Sequence, residues 1–253
     1  MSERHARSPH RPTSRPPAPT ASASAGYHHG DLREALLAAA ESLLLERGMA
    51  AFTLRECARR AGVSHAAPAH HFGDARGLLT AFAARGFERM AGLMQQYVDA
   101  APPDPSSRLV AVGQAYIDFA LAHRAHFQLM FGRDRLDPDD GALQQAGNRT
   151  ADLLRQAMDA VMLAQKLPPA SLPSRLLLAW SAVHGYATLV IEGQCSELFG
   201  LSVDRPHESR AGAAAMLALL APALAREAPR PPTAARRPAR HATPNAPHGG
   251  TNR

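Results

Sequence analysis

The sequence predicts an all-α protein of two helical domains set between two tails, and three observations carry that expectation. Apolar residues recur at spacings of three and four from Leu32 to Leu224, the period of an amphipathic helix, and no segment sustains the alternation of a strand. Residues 53–72, TLRECARRAGVSHAAPAHHF, encode two short helices joined by a turn too tight for anything but a helix-turn-helix. Pro, Ser, Ala and Arg dominate residues 1–25 and 227–253, a composition that cannot bury enough apolar surface to order itself. No internal repeat is present.

The first domain is expected over residues 26–74. Asp31 and Glu34 have the spacing of a capping box at the head of a helix from Leu32 to Arg47. Leu32, Leu36, Ala40, Leu43 and Leu44 form its apolar stripe, and Gly48 stops it. Thr53 then caps a second helix with Glu56 three residues on, and Leu54, Cys57, Ala58 and Ala61 share its inner face. Gly62 tolerates the left-handed backbone of the turn, Val63 is an apolar plug, and Ser64 is placed to cap a third helix. That helix carries His65, Ala66, Ala67, His70 and His71 before Phe72 returns to the core. Pro68 falls four residues after the Ser64 cap, where its ring is still tolerable. Such a helix pair is built to place its second member in a DNA major groove.

The second domain is expected over residues 75–226. A helix from Ala75 to Ala100 presents Leu79, Phe82, Gly86, Met90, Leu93 and Tyr97 on one stripe and ends before Pro102-Pro103. Ser106 or Ser107 opens the next, through Val112, Tyr116 and Phe119, with a short segment following from His126 to Phe131. Asp137-Pro138 opens another that carries Leu143, Leu153, Leu154, Met158, Val161 and Met162. Leu172 to Glu192 reads as a long apolar helix and Arg210 to Arg226 as the last.

The net charge of +6 is not spread along the chain. Residues 1–25 carry +3 and residues 226–253 carry +5, which leaves the helical body at −2. The tails therefore offer a sequence-independent attraction to phosphate, or they are solvated segments with no partner; both readings stay open. Two cysteines, Cys57 and Cys195, make no disulfide framework, and no apolar run is long enough to cross a membrane. The Arg-rich N-terminus lacks the apolar stretch of a secretory signal, so a cytoplasmic protein is expected, with no membrane partner.

The Thr-Leu-Arg-Glu cap, the Ala-Gly-Val-Ser turn and the His-Phe close stand in the order and spacing of the TetR-family DNA-binding pattern, which the chain resembles over roughly residues 30–79. The resemblance implies a sequence-specific transcriptional regulator that holds double-stranded operator DNA. On that pattern Thr53, Ser64, His70 and His71 contact phosphates, while His65, Ala66 and Ala67 face bases. Arg55, Arg76 and the arm Tyr27–His29 are further phosphate candidates. Two departures matter: Ala69 stands where the family usually has Tyr, and Ala75 where it usually has Lys. His28, His29, His65, His70 and His71 do not read as a metal site, because no carboxylate or Cys shares their helical faces at ligand spacing.

The family dimerises, and the last two long helices are the expected seam of a homodimer. Leu176, Leu177, Val183, Ala187 and Ile191 on one, with Met216, Leu217 and Leu220 on the other, would form a four-helix interface with the partner's copies. The alternative is that one of the two helices is wholly core.

Trp180, His184 and Gly185 match a family subgroup whose second domain carries a Trp-His-Gly signature. Trp180 and His184 share a helical face, and Gly185 permits close helix approach. They read either as the wall of an effector pocket or as a satisfied core pair. Tyr116, Phe119, Phe127, Met130, Phe131, Met158 and Met162 supply the lining a small apolar or amphipathic effector would need, or they are plain core. His123 and His126 flank Arg124 and read as solvated.

Three function classes follow: a repressor released from its operator by an effector, an architectural DNA-binding protein whose basic tails dominate, and an enzyme. No nucleophile, base and orienting group stands at meaningful spacing, so the enzyme is not favoured, and no cofactor or metal is expected.

Overall fold

The computed structural model describes residues 29–227, which contain helices and turns and no strand among the described residues. The tails, Tyr27 and His28 lie outside the described residues, and so do the side chains of His29 and Asp31. The chain divides into two compact units at Phe82/Ala83.

In the first unit α1 (His29–Arg47) packs on α2 (Leu54–Ala61), which packs on α3 (Ala67–Phe72). Leu36, Ala40 and Leu43 of α1 are buried, and so are Cys57 and Ala58 of α2, as the 3.6-residue period requires. Thr53 caps α2 by accepting from the Glu56 amide at 3.2 Å. Glu56 does not reach back as a reciprocal box. Its carboxylate instead accepts from Arg59 at 2.8 and 2.7 Å and from Arg60 at 3.3 Å. Gly62 ends α2 at φ 68°, a backbone that a side chain would strain.

α3 begins later than the sequence suggests. A helix capped by Ser64 would draw its first bond from the amide of residue 68, and Pro68 has none. The helix therefore starts at Ala67, with Pro68 in its first turn and His70 N donating to Ala66 O at 3.1 Å. Ser64, His65 and Ala66 form the turn before it. Phe72 is half-buried, with the Arg33 guanidinium 5.4 Å over its ring.

α4 (Ala75–Ala100) starts where Asp74 accepts from the Gly77 amide at 2.8 Å and runs on through the unit boundary. In the second unit α5 (Pro105–Ala122) is the central helix. It packs against α6 (Arg124–Met130), α7 (Gly141–Ala164), α8 (Leu172–Ile191) and, beyond the one-turn α9 (Ser196–Phe199), α10 (Pro206–Leu224). Caps set two starts differently from the expectation: Asp104 accepts from Ser107 N at 2.9 Å, and Asp140 from Leu143 N at 2.8 Å. The last helix opens four residues early because Pro206 suits a first helical position.

Asp118 of α5 is buried and accepts from Tyr97 of α4 at 2.6 Å, Gln114 at 3.3 Å and Arg210 of α10 at 3.0 Å. His126 corrects its reading as a solvated residue: it is fully buried in α6. Burial, helped by Arg89, His123 and Arg85, pushes its pKa down to about 3. Both cysteines are buried thiols, Cys57 in the first unit and Cys195 in the second.

Candidate functional site

The first unit presents the candidate reading surface on α2, α3 and the turn between them. Thr53, Arg55, Ser64, His65, Ala66 and His70 are exposed, while Ala67 and His71 are half-buried. The Pro68 start divides the candidates between two elements: Ser64, His65 and Ala66 lie in the turn, and Ala67, His70 and His71 on the helix. His71 lies edge-on to His70 at 5.6 Å and beside Phe72 at 6.3 Å, so packing limits its swing. Ala69 and Ala75 are exposed, which puts the two departures from the family pattern on the surface.

Charge on this unit is arranged to lock helices as much as to meet phosphate. Arg60 donates to Glu46 of α1 at 2.7 Å and to Ser42 at 2.8 Å. The bond from Arg60, with one that Ser42 donates, holds the Glu46 carboxyl down at about 2, and the Arg59 and Arg60 bonds hold Glu56 at about 2. Arg55 forms no such pair among the described residues, so its charge is open to an external anion.

The second unit encloses a cavity of about 980 Å³ between α5, α7, α8 and α10, with Phe87 and Met94 of α4 on its wall. Of the residues expected as lining, Tyr116, Met130, Phe131, Trp180 and His184 are on it. Phe119, Phe127, Met158 and Met162 are not: all four are buried as core. Phe127 stands one layer back, edge-on to Tyr116 at 5.7 Å and 5.3 Å from the His184 ring. Trp180 is 43% exposed, so it is no core residue.

Several residues expected at a dimer seam belong to this cavity. Leu176, Leu177, Val183, Leu217 and Leu220 line it, and Leu217 is only 4% exposed against Gly113 and Val183. Gly185 also departs from its reading: nothing among the described residues stands within 4 Å of where its Cβ would be, so it makes no close crossing in the protomer. The faces of α8 and α10 that point outward instead carry Leu178, Leu189 and Leu219, all exposed. α8 is thus not wholly core.

The cavity is apolar except for Thr150, one internal polar pair and a polar mouth. Tyr116 Oη lies 2.7 Å from His184 Nδ1. Burial raises the Tyr116 pKa, opposed by a hydrogen bond from Trp180, and lowers that of His184, so both are neutral near pH 7. At the mouth Arg133, Gln144 and Asn148 are exposed. Periodicity could have found the α7 wall, since Leu143, Gly147, Ala151 and Leu154 recur at helical spacing, but nothing in the sequence marks Arg133.

Residues 36–82 match the family model for bacterial regulatory proteins of the tetR family, and residues 109–209 the tetracyclin repressor-like C-terminal domain. No curated protein matches the chain in sequence. A protein of unknown function from Rhodococcus sp. RHA1 is 36% identical, with 78% of this chain and 100% of that one covered at a TM-score of 0.64. A bacterial regulatory protein in the tetR family from Rhodococcus RHA1 is 18% identical, covering 76% and 96%, at 0.60. FadR from Bacillus subtilis, solved in complex with stearoyl-CoA, is 12% identical, covering 74% and 97%, at 0.57. With a helix-turn-helix in the first unit, a hollow helical bundle in the second and both family models matched in order, the chain belongs to the TetR family of bacterial transcriptional regulators.

Proposed function

We propose that the protein is a homodimeric, cytoplasmic repressor, without enzymatic activity, that a small apolar or amphipathic molecule releases from its operator. The observation that carries this is the cavity of about 980 Å³ in the unit that follows the helix-turn-helix, a volume suited to a small-molecule ligand. Thr53, Arg55, Ser64, His70 and His71 hold phosphates and set the register, and His65, Ala66 and Ala67 meet base edges. One unit covers too few base pairs to be specific, so two copies join through the outward faces of α8 and α10. There Leu178, Leu189 and Leu219 are exposed, and on α8 Gly185 has open space where a side chain would stand, which lets a partner helix approach closely. The effector acts by favouring a spacing of the two reading heads that fits DNA less well. The stearoyl-CoA of the Bacillus subtilis FadR complex joins a long apolar chain to a polar head, a ligand type this cavity suits.

The test is selection of genomic fragments by the purified protein against excess random DNA. A single motif with dyad symmetry is expected, and His65→Ala should alter the preferred bases. Weak preference with a steep salt dependence would favour the architectural alternative, and an unchanged motif with His65→Ala would remove its base-reading role.

A further inference from the structure

The polar pair inside the cavity says what kind of group the ligand buries there. Tyr116 of α5 and His184 of α8 meet at 2.7 Å, with the rings of Phe127 and Phe131 at 5.3 and 4.6 Å from the imidazole. If His184 Nδ1 donated to the Tyr116 oxygen, the hydroxyl proton would have no acceptor among the described residues. With Tyr116 donating to Nδ1 instead, the hydroxyl proton is used within the pair, which puts the proton of the neutral imidazole on Nε2. Other polar groups of the wall are engaged or lie outside. Thr150 donates to the carbonyls of Phe87 and Ala146, Gln144 donates to that of Pro138, and Arg133 and Asn148 are exposed at the mouth.

Resting on the effector reading above, we propose that His184 Nε2–H reads a neutral hydrogen-bond acceptor, the carbonyl of an ester, thioester or ketone, carried on an apolar chain. An ionised carboxylate at the same depth would lose its water and meet one neutral donor, which disfavours it. An alkane would leave the Nε2 proton unpaired.

Trp180 is the only tryptophan of the chain and lines the cavity, so its emission reports occupancy without a label. Titrations with methyl myristate, tetradecane and myristic acid at neutral pH form the test. The ester is expected to bind about five- to tenfold more tightly than the alkane, the usual worth of one hydrogen bond. His184→Phe should bring the ester to the level of the alkane without weakening the alkane. Tyr116→Phe, which frees the imidazole to change tautomer, should narrow the gap only in part and serves if the first variant folds poorly. Equal binding of ester and alkane, an acid that binds more tightly than the ester, or a gap that survives His184→Phe would each overturn the proposal while leaving the cavity as a ligand site. No response to any of the three probes would overturn the proposal and the effector reading together.

Discussion

Arg60 Nη2 lies 2.7 Å from Glu46 Oε2, so a guanidinium on the first helix of the reading pair is held by a carboxylate on α1. Ser42 completes the clasp by accepting from Arg60 and donating to Glu46, both at 2.8 Å. The orientation of α2 is thus set from α1 as well as by the apolar face beneath it.

The clasp predicts an acid weakness in the DNA-binding unit. Glu46 and Glu56 titrate at about 2 when folded, below the ordinary value of 4.5, so their stabilisation is complete above pH 4.5 and drains away as pH falls toward 2. The melting temperature of wild type should exceed that of Glu46→Gln at neutral pH, and the two should converge across that window. A difference that stays constant down to pH 2 would refute the linkage.

Asp118 predicts an asymmetry among its partners. Asp118→Ala removes the acceptor of Tyr97, Gln114 and Arg210 at a buried site and should cost about 2–3 kcal/mol in urea denaturation. Arg210→Ala should cost less than about 1 kcal/mol, because the arginine is mostly exposed and its charge is solvated either way. Equal losses would place the energy in the ion pair and not in the buried carboxylate.

On the outward faces, Leu189→Glu combined with Leu219→Glu is expected to give folded monomers, since both side chains stand in solvent in the protomer. Leu217→Asp should instead lose folded protein, because it buries a charge against Gly113 and Val183. Light scattering beside circular dichroism separates the two outcomes. A dimer that survives the double substitution would move the seam elsewhere.

The tails predict a salt effect without a sequence effect. Each neutralised phosphate adds roughly 0.9 to the logarithmic salt slope on duplex DNA. Deleting residues 1–25 and 227–253 should flatten that slope and weaken all sequences alike while leaving the selected motif intact. Equal slopes for full-length and trimmed protein would make the tails bystanders.

Helix order and the turn of the reading pair were legible because both follow from local rules: the period of apolar residues, the Thr53 cap and the left-handed Gly62. The start of α3 was legible in principle, since Pro68 announces its missing amide, but Ser64 carried the stronger local signal. Lining and core could not be told apart. Phe119 and Phe131 have the same chemistry, Leu217 and Leu219 the same chemistry and helical setting, and only the three-dimensional path decides whether the opposing space is filled, hollow or solvent. His126 failed for the same reason, since the polar Arg124 and Gln128 two residues to either side suggested solvent while its neighbours in space exclude water.

One buried thiol in each compact unit gives the protein two internal clocks. Burial, with Glu56 beside it, pushes Cys57 up to about 11, so this sulfur stays protonated and inert until the N-terminal unit opens. Cys195 is buried beyond the end of α8, in the other unit. Alkylation followed by mass spectrometry would therefore time the opening of each half separately in the unlabelled chain, and show whether filling the one quiets the other.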